Sequence, residues 1–186
     1  DYILRDITTC SEKIIKELED AIKKCDKMMC DIINSSPELK KTFDIVTSIK
    51  GISLQNGVAM IVYTNNFSKF ENVRQMLCFW GVAPFEHSSG TSVHGRTQTS
   101  FFANKMLKEL ISDAAANSIR YNDKIKTYYN RLVNRGKMKG VALNNVKAKL
   151  INIVFTMVQR GTKYDPNYDM IKTTNKQKAE ILKNAC

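Results

Sequence analysis

Leu4, Ile7, Ser11, Ile14, Leu18, Ala21, Cys25, Met28 and Ile32 follow one another in steps of three and four. This is the a/d spacing of a heptad, broken only by the polar Ser11. Ile15, Ile22, Met29 and Ile33 widen the stripe on one side, so the helix it predicts packs on more than one neighbour. Ser35-Ser36-Pro37-Glu38 ends that helix and starts another, with a serine cap, proline at the first helical position and an acid in the first turn. A helical hairpin or a coiled coil follows. The heptads suit a homo-oligomer and an intramolecular pair equally.

The second helix runs on through 39–48. Gly51 then sits between two short helical stretches within 49–59, the pattern of a helix-hairpin-helix, whose backbone amides approach phosphate closely. A plain tight connection between helices has the same pattern. Residues 72–80 predict a helix with Val73, Met76, Leu77 and Trp80 on one face, closed by Gly81, and Phe70, Phe79 and Trp80 read as core. Residues 84–98 have no helical periodicity and predict a long irregular loop. Three more helices are expected over 99–118, 123–134 (stopped by Gly136) and 141–159 (stopped by Gly161), the last apolar on two faces and central to the core. The expected fold is mainly α. A coiled-coil or helical-hairpin segment spans 1–47, a compact helical domain with a helix-hairpin-helix-like turn spans 48–170, and a basic tail spans 171–186.

Composition narrows the class. With 186 residues, 43% apolar and 25% charged, the chain has the make-up of an ordinary globular domain. Only 8 Gly and 3 Pro interrupt it, which favours long helices. No apolar run reaches the roughly 18 residues that span a bilayer, and no signal peptide opens the chain, so no membrane partner is expected. The missing initiator Met suggests a piece of something longer. Cys10, Cys25, Cys30, Cys78 and Cys186 are odd in number and loosely spaced, which points to a reducing, cytoplasmic setting rather than a disulfide framework.

Charge changes the picture most. The net +11 is uneven: residues 1–50 carry −1, residues 51–90 carry zero, and residues 91–186 carry +12. A surface that releases counterions from a polyanion needs such a concentration of Lys and Arg. A solvated basic surface without a ligand is the plainer alternative.

Within 86–97, Ser88, Ser89 and Gly90 lie between His87 and His94, and Arg96 precedes the next helix. A serine followed by glycine admits a bulky electrophile such as a phosphodiester, and an arginine can clamp the charge that develops on it. No metal site is expected. The histidines lack partner ligands at suitable spacing, and Cys25 and Cys30 diverge by about 140° around a helix. Residues 51–186 hold eight acids, none grouped, so carboxylates for Mg²⁺ are missing from this chain.

Ile49-Lys50-Gly51-Ile52, Phe67-Ser68-Lys69-Phe70-Glu71-Asn72, Gly81-Val82-Ala83-Pro84, Ser88-Ser89-Gly90, Tyr128-Tyr129-Asn130-Arg131-Leu132, Arg135-Gly136-Lys137, Ala142, Lys149-Leu150 and Gly161-Thr162-Lys163-Tyr164-Asp165-Pro166 occur in that order over about 120 residues. In this order they resemble the C-terminal, serine-bearing domain of the insertion-sequence one-ten/one-sixteen transposases. In that family the domain follows an N-terminal RuvC-like nuclease domain with a DEDD motif, and the heptad helix resembles the segment linking the two. The resemblance implies a bacterial, nucleoid-associated enzyme of DNA recombination whose loop serine attacks a DNA phosphodiester. Ser89 matches the nucleophile by position, with Ser88 as the alternative. It also implies Mg²⁺ held by the nuclease domain, inactivity of this portion alone, and a structured guide RNA of the element as partner beside DNA. Candidate nucleic-acid-binding residues are Gly51, Arg96, Lys105, Lys108, Arg131, Arg135, Lys137 and Lys139. The sequence departs from the family at 99–105, where Thr99-Ser100-Phe101-Phe102-Ala103-Asn104-Lys105 replaces the usual Lys-Arg-Gly; Arg96, Lys105 and Lys108 are positioned to substitute. The alternative function is a non-catalytic helical DNA- or RNA-binding adaptor.

Overall fold

The computed structural model describes residues 2–85, 88–89, 93–95, 98–99 and 103–167, with side chains at all of these except 2–4, 88–89 and 93–94. The chain is mainly α, as expected. The expected tail 171–186 lies outside the described residues.

α1 (Tyr2–Ser35) is a single helix of 34 residues, about 51 Å long at 1.5 Å per residue. Only its C-terminal end joins the core, through Ile33. It is broken from α2 (Pro37–Thr47) by Ser36, an extended residue whose hydroxyl accepts from Leu39 N, with Pro37 in the first turn where its missing N–H costs nothing. α3 (Leu54–Thr64) is capped by Ser53. α4 (Val73–Phe79) begins in a reciprocal box: Asn72 Oδ1 accepts from Gln75 N at 3.0 Å, and Gln75 Oε1 accepts from Glu71 N at 3.0 Å.

The described residues within 84–99 depart from the expected irregular loop. β1 (Pro84–Phe85) pairs antiparallel with β4 (Gln98–Thr99), and β2 (Ser88–Ser89) pairs antiparallel with β3 (Val93–His94) inside it. Strands of two residues are too short to show alternation, so no period-2 signal exists in the sequence to reveal them.

α5 (Lys105–Tyr121) starts six residues later than expected, because Asn104 is the residue that caps it, accepting from Met106 N and Leu107 N. α6 (Asp123–Asn134) has its expected bounds, and Asn122 caps it. α7 (Lys139–Arg160) is the central helix. It packs against α2, α4, α5 and α6, and its Val146, Leu150, Ile151 and Val154 are fully buried. Its length and composition would suffice to cross a membrane, but this is equally the signature of a packed core helix, which is its place here. Trp80, Met76, Met60, Ile49, Leu107 and Ile111 complete the core around it.

Candidate nucleic-acid interface

The ribbon that carries Ser88 and Ser89 is tied to three helices at its base. Gly81, just after α4, adopts φ +63, and a Cβ on it would collide with the Ala103 side chain, so the residues leading into and out of the ribbon meet at a glycine. Val82 is fully buried, and its carbonyl accepts from Asn144 Nδ2 of α7 at 3.0 Å. Lys108 Nζ of α5 donates to Thr99 Oγ1 of β4 at 3.1 Å. Beyond this base, Ser88 pairs with His94 and Ser89 with Val93, which places both serines on the inner ladder next to residues 90–92. Those three residues and Arg96 lie outside the described residues.

A second lysine lies close enough to Lys108 to feel its charge. Lys147 of α7 is half-buried, and its pKa is lowered, first by loss of solvent and then by the nearby positive charge of Lys108. Loss of a proton or the arrival of an anion would relieve that repulsion. Lys147 was missed by the sequence reading, since its partner lies 39 positions earlier on another helix and no spacing rule connects them.

The remaining candidates fall into separate places. Lys105 is exposed at the start of α5, near the ribbon base. Arg135, Lys137 and Lys139 are exposed around the α6–α7 turn, where Gly136 takes φ +83 and Lys137 N donates to Leu132 O. Because Asn144 touches the ribbon base, Lys139 lies within about 8 Å of it along the α7 axis. Arg131 sits over the Tyr128 ring at 5.4 Å, and Lys149 of α7 lies over the same ring at 4.9 Å. Tyr128 and Lys149 were in motifs of the sequence but not among the candidates; the i, i+3 spacing of Tyr128 and Arg131 was the only available signal.

Gly51 is not with them. It takes φ +108, and a Cβ on it would fall on the backbone and hydroxyl of Ser118, about 20 Å along α5 from Lys105. Its lack of a side chain lets the α2–α3 turn lie directly on α5. Among the described residues no three His, Cys, Asp or Glu side chains group as metal ligands, so they offer no donor set that fits the Mg²⁺ implied by the resemblance.

Residues 43–130 match the profile of the Transposase IS116/IS110/IS902 family. Over that stretch the chain is similar to an insertion-sequence transposase family. That segment runs from α2 through most of α6 and contains the whole ribbon. Over 152 residues, 81% of this chain, it is 24% identical to the pilin gene-inverting proteins of Moraxella lacunata and Moraxella bovis, of which it covers 47%. It is also 28% identical over 133 residues, 72% of this chain, to an insertion element IS110 43.6 kDa protein of Streptomyces coelicolor, of which it covers 33%. The chain spans less than half the length of these relatives.

Proposed function

We propose that this chain is the DNA-binding, strand-exchange part of an insertion-sequence transposase, with Ser89 as nucleophile and Ser88 as the alternative. The observation that carries this reading is that the family segment spans the serine ribbon, whose base gathers Lys108 and Lys147 around a helical anchor. Attack by the serine Oγ forms a serine–phosphate ester, and the P–O bond to the leaving deoxyribose hydroxyl breaks. The two lysines, with Lys105, Lys139 and Arg96, balance the charge on the phosphate. Metal-holding carboxylates come from a nuclease segment outside these 186 residues, and a structured RNA of the element is a further partner.

The homo-oligomer runs through α1. Ile7, Ile14, Leu18, Met28 and Ile32 share the heptad stripe and are each more than half exposed, and a second copy presents the same stripe.

The experiment supplies the chain together with such a nuclease segment and compares it with Ser89→Ala and Ser88→Ala on labelled element-end DNA. A covalent protein–DNA adduct on a denaturing gel, lost in Ser89→Ala and retained in Ser88→Ala, supports the assignment. The reverse pattern moves it to Ser88, and an adduct surviving both changes refutes the ribbon serine as nucleophile.

A further inference from the structure

The far end of α7 from the ribbon holds a cavity of about 290 Å³ between α6, α7 and the segment 161–166. Its wall is built rather than incidental. Gly161 ends α7 in the left-handed conformation (φ +64) and turns the chain back. Tyr164 N then donates to Ser48 Oγ at 2.8 Å, and Lys163 Nζ reaches Asp44 at 3.9 Å, so residues 163–164 are fixed to α2 and its cap. The floor is apolar, from buried Ile125 and Met157 and half-buried Ile153. The rim is cationic, from Lys124, Lys149, Arg160 and Lys163, against the single acid Asp165. Lys124 and Lys149, with one acid, Asp123, also line a more open hollow of about 480 Å³ that continues along α6 past Tyr128 to Arg131.

An apolar floor accepts a flat ring and rejects a phosphate; a cationic rim does the opposite. One ligand has both parts in the right relation, a nucleotide whose base is free of a duplex. The volume lies at the small end of the roughly 300–1,000 Å³ usual for ligand pockets, enough for one planar ring system and too little for a base pair. Asn152 commits its Nδ2 to Ala148 O at 2.7 Å, which leaves its carbonyl oxygen to accept from a base edge. Arg131 and Lys149, already stacked on Tyr128, continue the cationic track for the neighbouring phosphates.

We infer that this cavity is a subsite for one unpaired base of a single strand, with the flanking phosphates on Lys124, Lys149, Arg160 and Arg131. The inference rests on the nucleic-acid reading above and extends it to a second place, at the opposite end of α7 from the ribbon. DNA and RNA share the chemistry, and the test separates them.

The full 186-residue chain is titrated with short fluorescent single-stranded DNA, single-stranded RNA and duplex DNA, and again as the double variant Lys124→Glu/Lys149→Glu. Single-strand affinity is expected to fall at least tenfold and duplex affinity by about threefold or less, with the arm that loses more naming the preferred strand. Lys149→Gln alone is expected to flatten the salt dependence of single-strand binding by about 0.7 in the log–log slope, the signature of one lost phosphate contact, while unchanged circular dichroism shows the fold intact. Iodouracil placed in the single strand is expected to cross-link to Tyr164 or Met157. Duplex binding with cross-links only elsewhere, or equal losses on single strand and duplex, overturns this inference and leaves the strand-exchange reading standing. Absence of binding to any of the three overturns both.

Discussion

Three glycines separate backbone strain from packing, and Gly51 is the informative one. Gly51→Ala places an L side chain at φ +108, which costs on the order of 1–3 kcal/mol for the backbone alone. The new Cβ would also fall on the Ser118 backbone, part of a packed helix that cannot swing aside as a flexible side chain can, adding about 1–3 kcal/mol. Gly136→Ala meets only the first cost: φ is +83, nothing lies within 4 Å, and about 1–2 kcal/mol is expected. Gly140→Ala meets neither, since it is helical with open space around it, and gains about 0.4–1 kcal/mol from a stiffer unfolded chain.

Urea unfolding followed by Trp80 fluorescence reads all three, because Trp80 is fully buried. At roughly 2–4 °C per kcal/mol for a chain of this size, Gly51→Ala should melt about 10 °C lower, Gly136→Ala about 4 °C lower and Gly140→Ala slightly higher. If Gly51→Ala costs no more than Gly136→Ala, the close approach of the α2–α3 turn to α5 is refuted. Wild-type nucleic-acid affinity in folded Gly51→Ala would count against a phosphate on the Gly51 turn.

Other outcomes follow from the same structure. The lowered pKa of Lys147 means that the folded state resists its charge, so the penalty is fully present at neutral pH and is relieved as pH rises toward the ordinary lysine value of 10.5; Lys147→Gln should therefore raise the melting temperature at pH 7, with the gain shrinking at higher pH. An unchanged gain across that range would remove Lys147 as the source. Asn144→Ala leaves the fully buried Val82 carbonyl without its bond and should cost about 1–3 kcal/mol in urea unfolding, with amide exchange at 83–85 rising more than in α6. Ile14→Glu with Leu18→Glu should convert a dimer to monomer by sedimentation equilibrium without altering Trp80 fluorescence, since both side chains are exposed and each would bury about 1.5–3 kcal/mol of apolar surface in a dimer. A monomeric wild type would refute the oligomer.

The helices were legible wherever one local signal fixed both face and boundary. Ser36-Pro37, Asn72 and Gly161 act through their own backbone and side chain, so a reader of the sequence finds the same stops as the folding chain. The start of α5 was misread because Phe101 and Phe102 extend the apolar pattern upstream of the actual cap, Asn104. The site was legible only in its motifs. Ser88 and Ser89 could be named, but the pairing that sets them on a ribbon depends on residues six and four positions away. The lysine pair at the base and the cation–π stack on Tyr128 each join two different helices. Such groupings are properties of packing and have no spacing in the chain.

That packing gives the +12 half of the sequence a geometry that its count lacks. α7 is one unbroken helix whose buried face is fixed against four others, so its exposed residues keep set distances from one another. Asn144 and Lys147 meet the ribbon base near its start, and Arg160 rims the distal cavity about 24 Å further along the axis from Asn144. If a strand is held at the cavity and cut at the ribbon, α7 acts as the spacer between the two. Its length then constrains which phosphate reaches the serine, whereas changes in side-chain charge alter only how tightly the strand is held. Fixing that spacing requires a helix that cannot flex, and burial of Val146, Leu150, Ile151 and Val154 supplies the stiffness. The same core that stabilises the fold therefore sets the register of the proposed reaction.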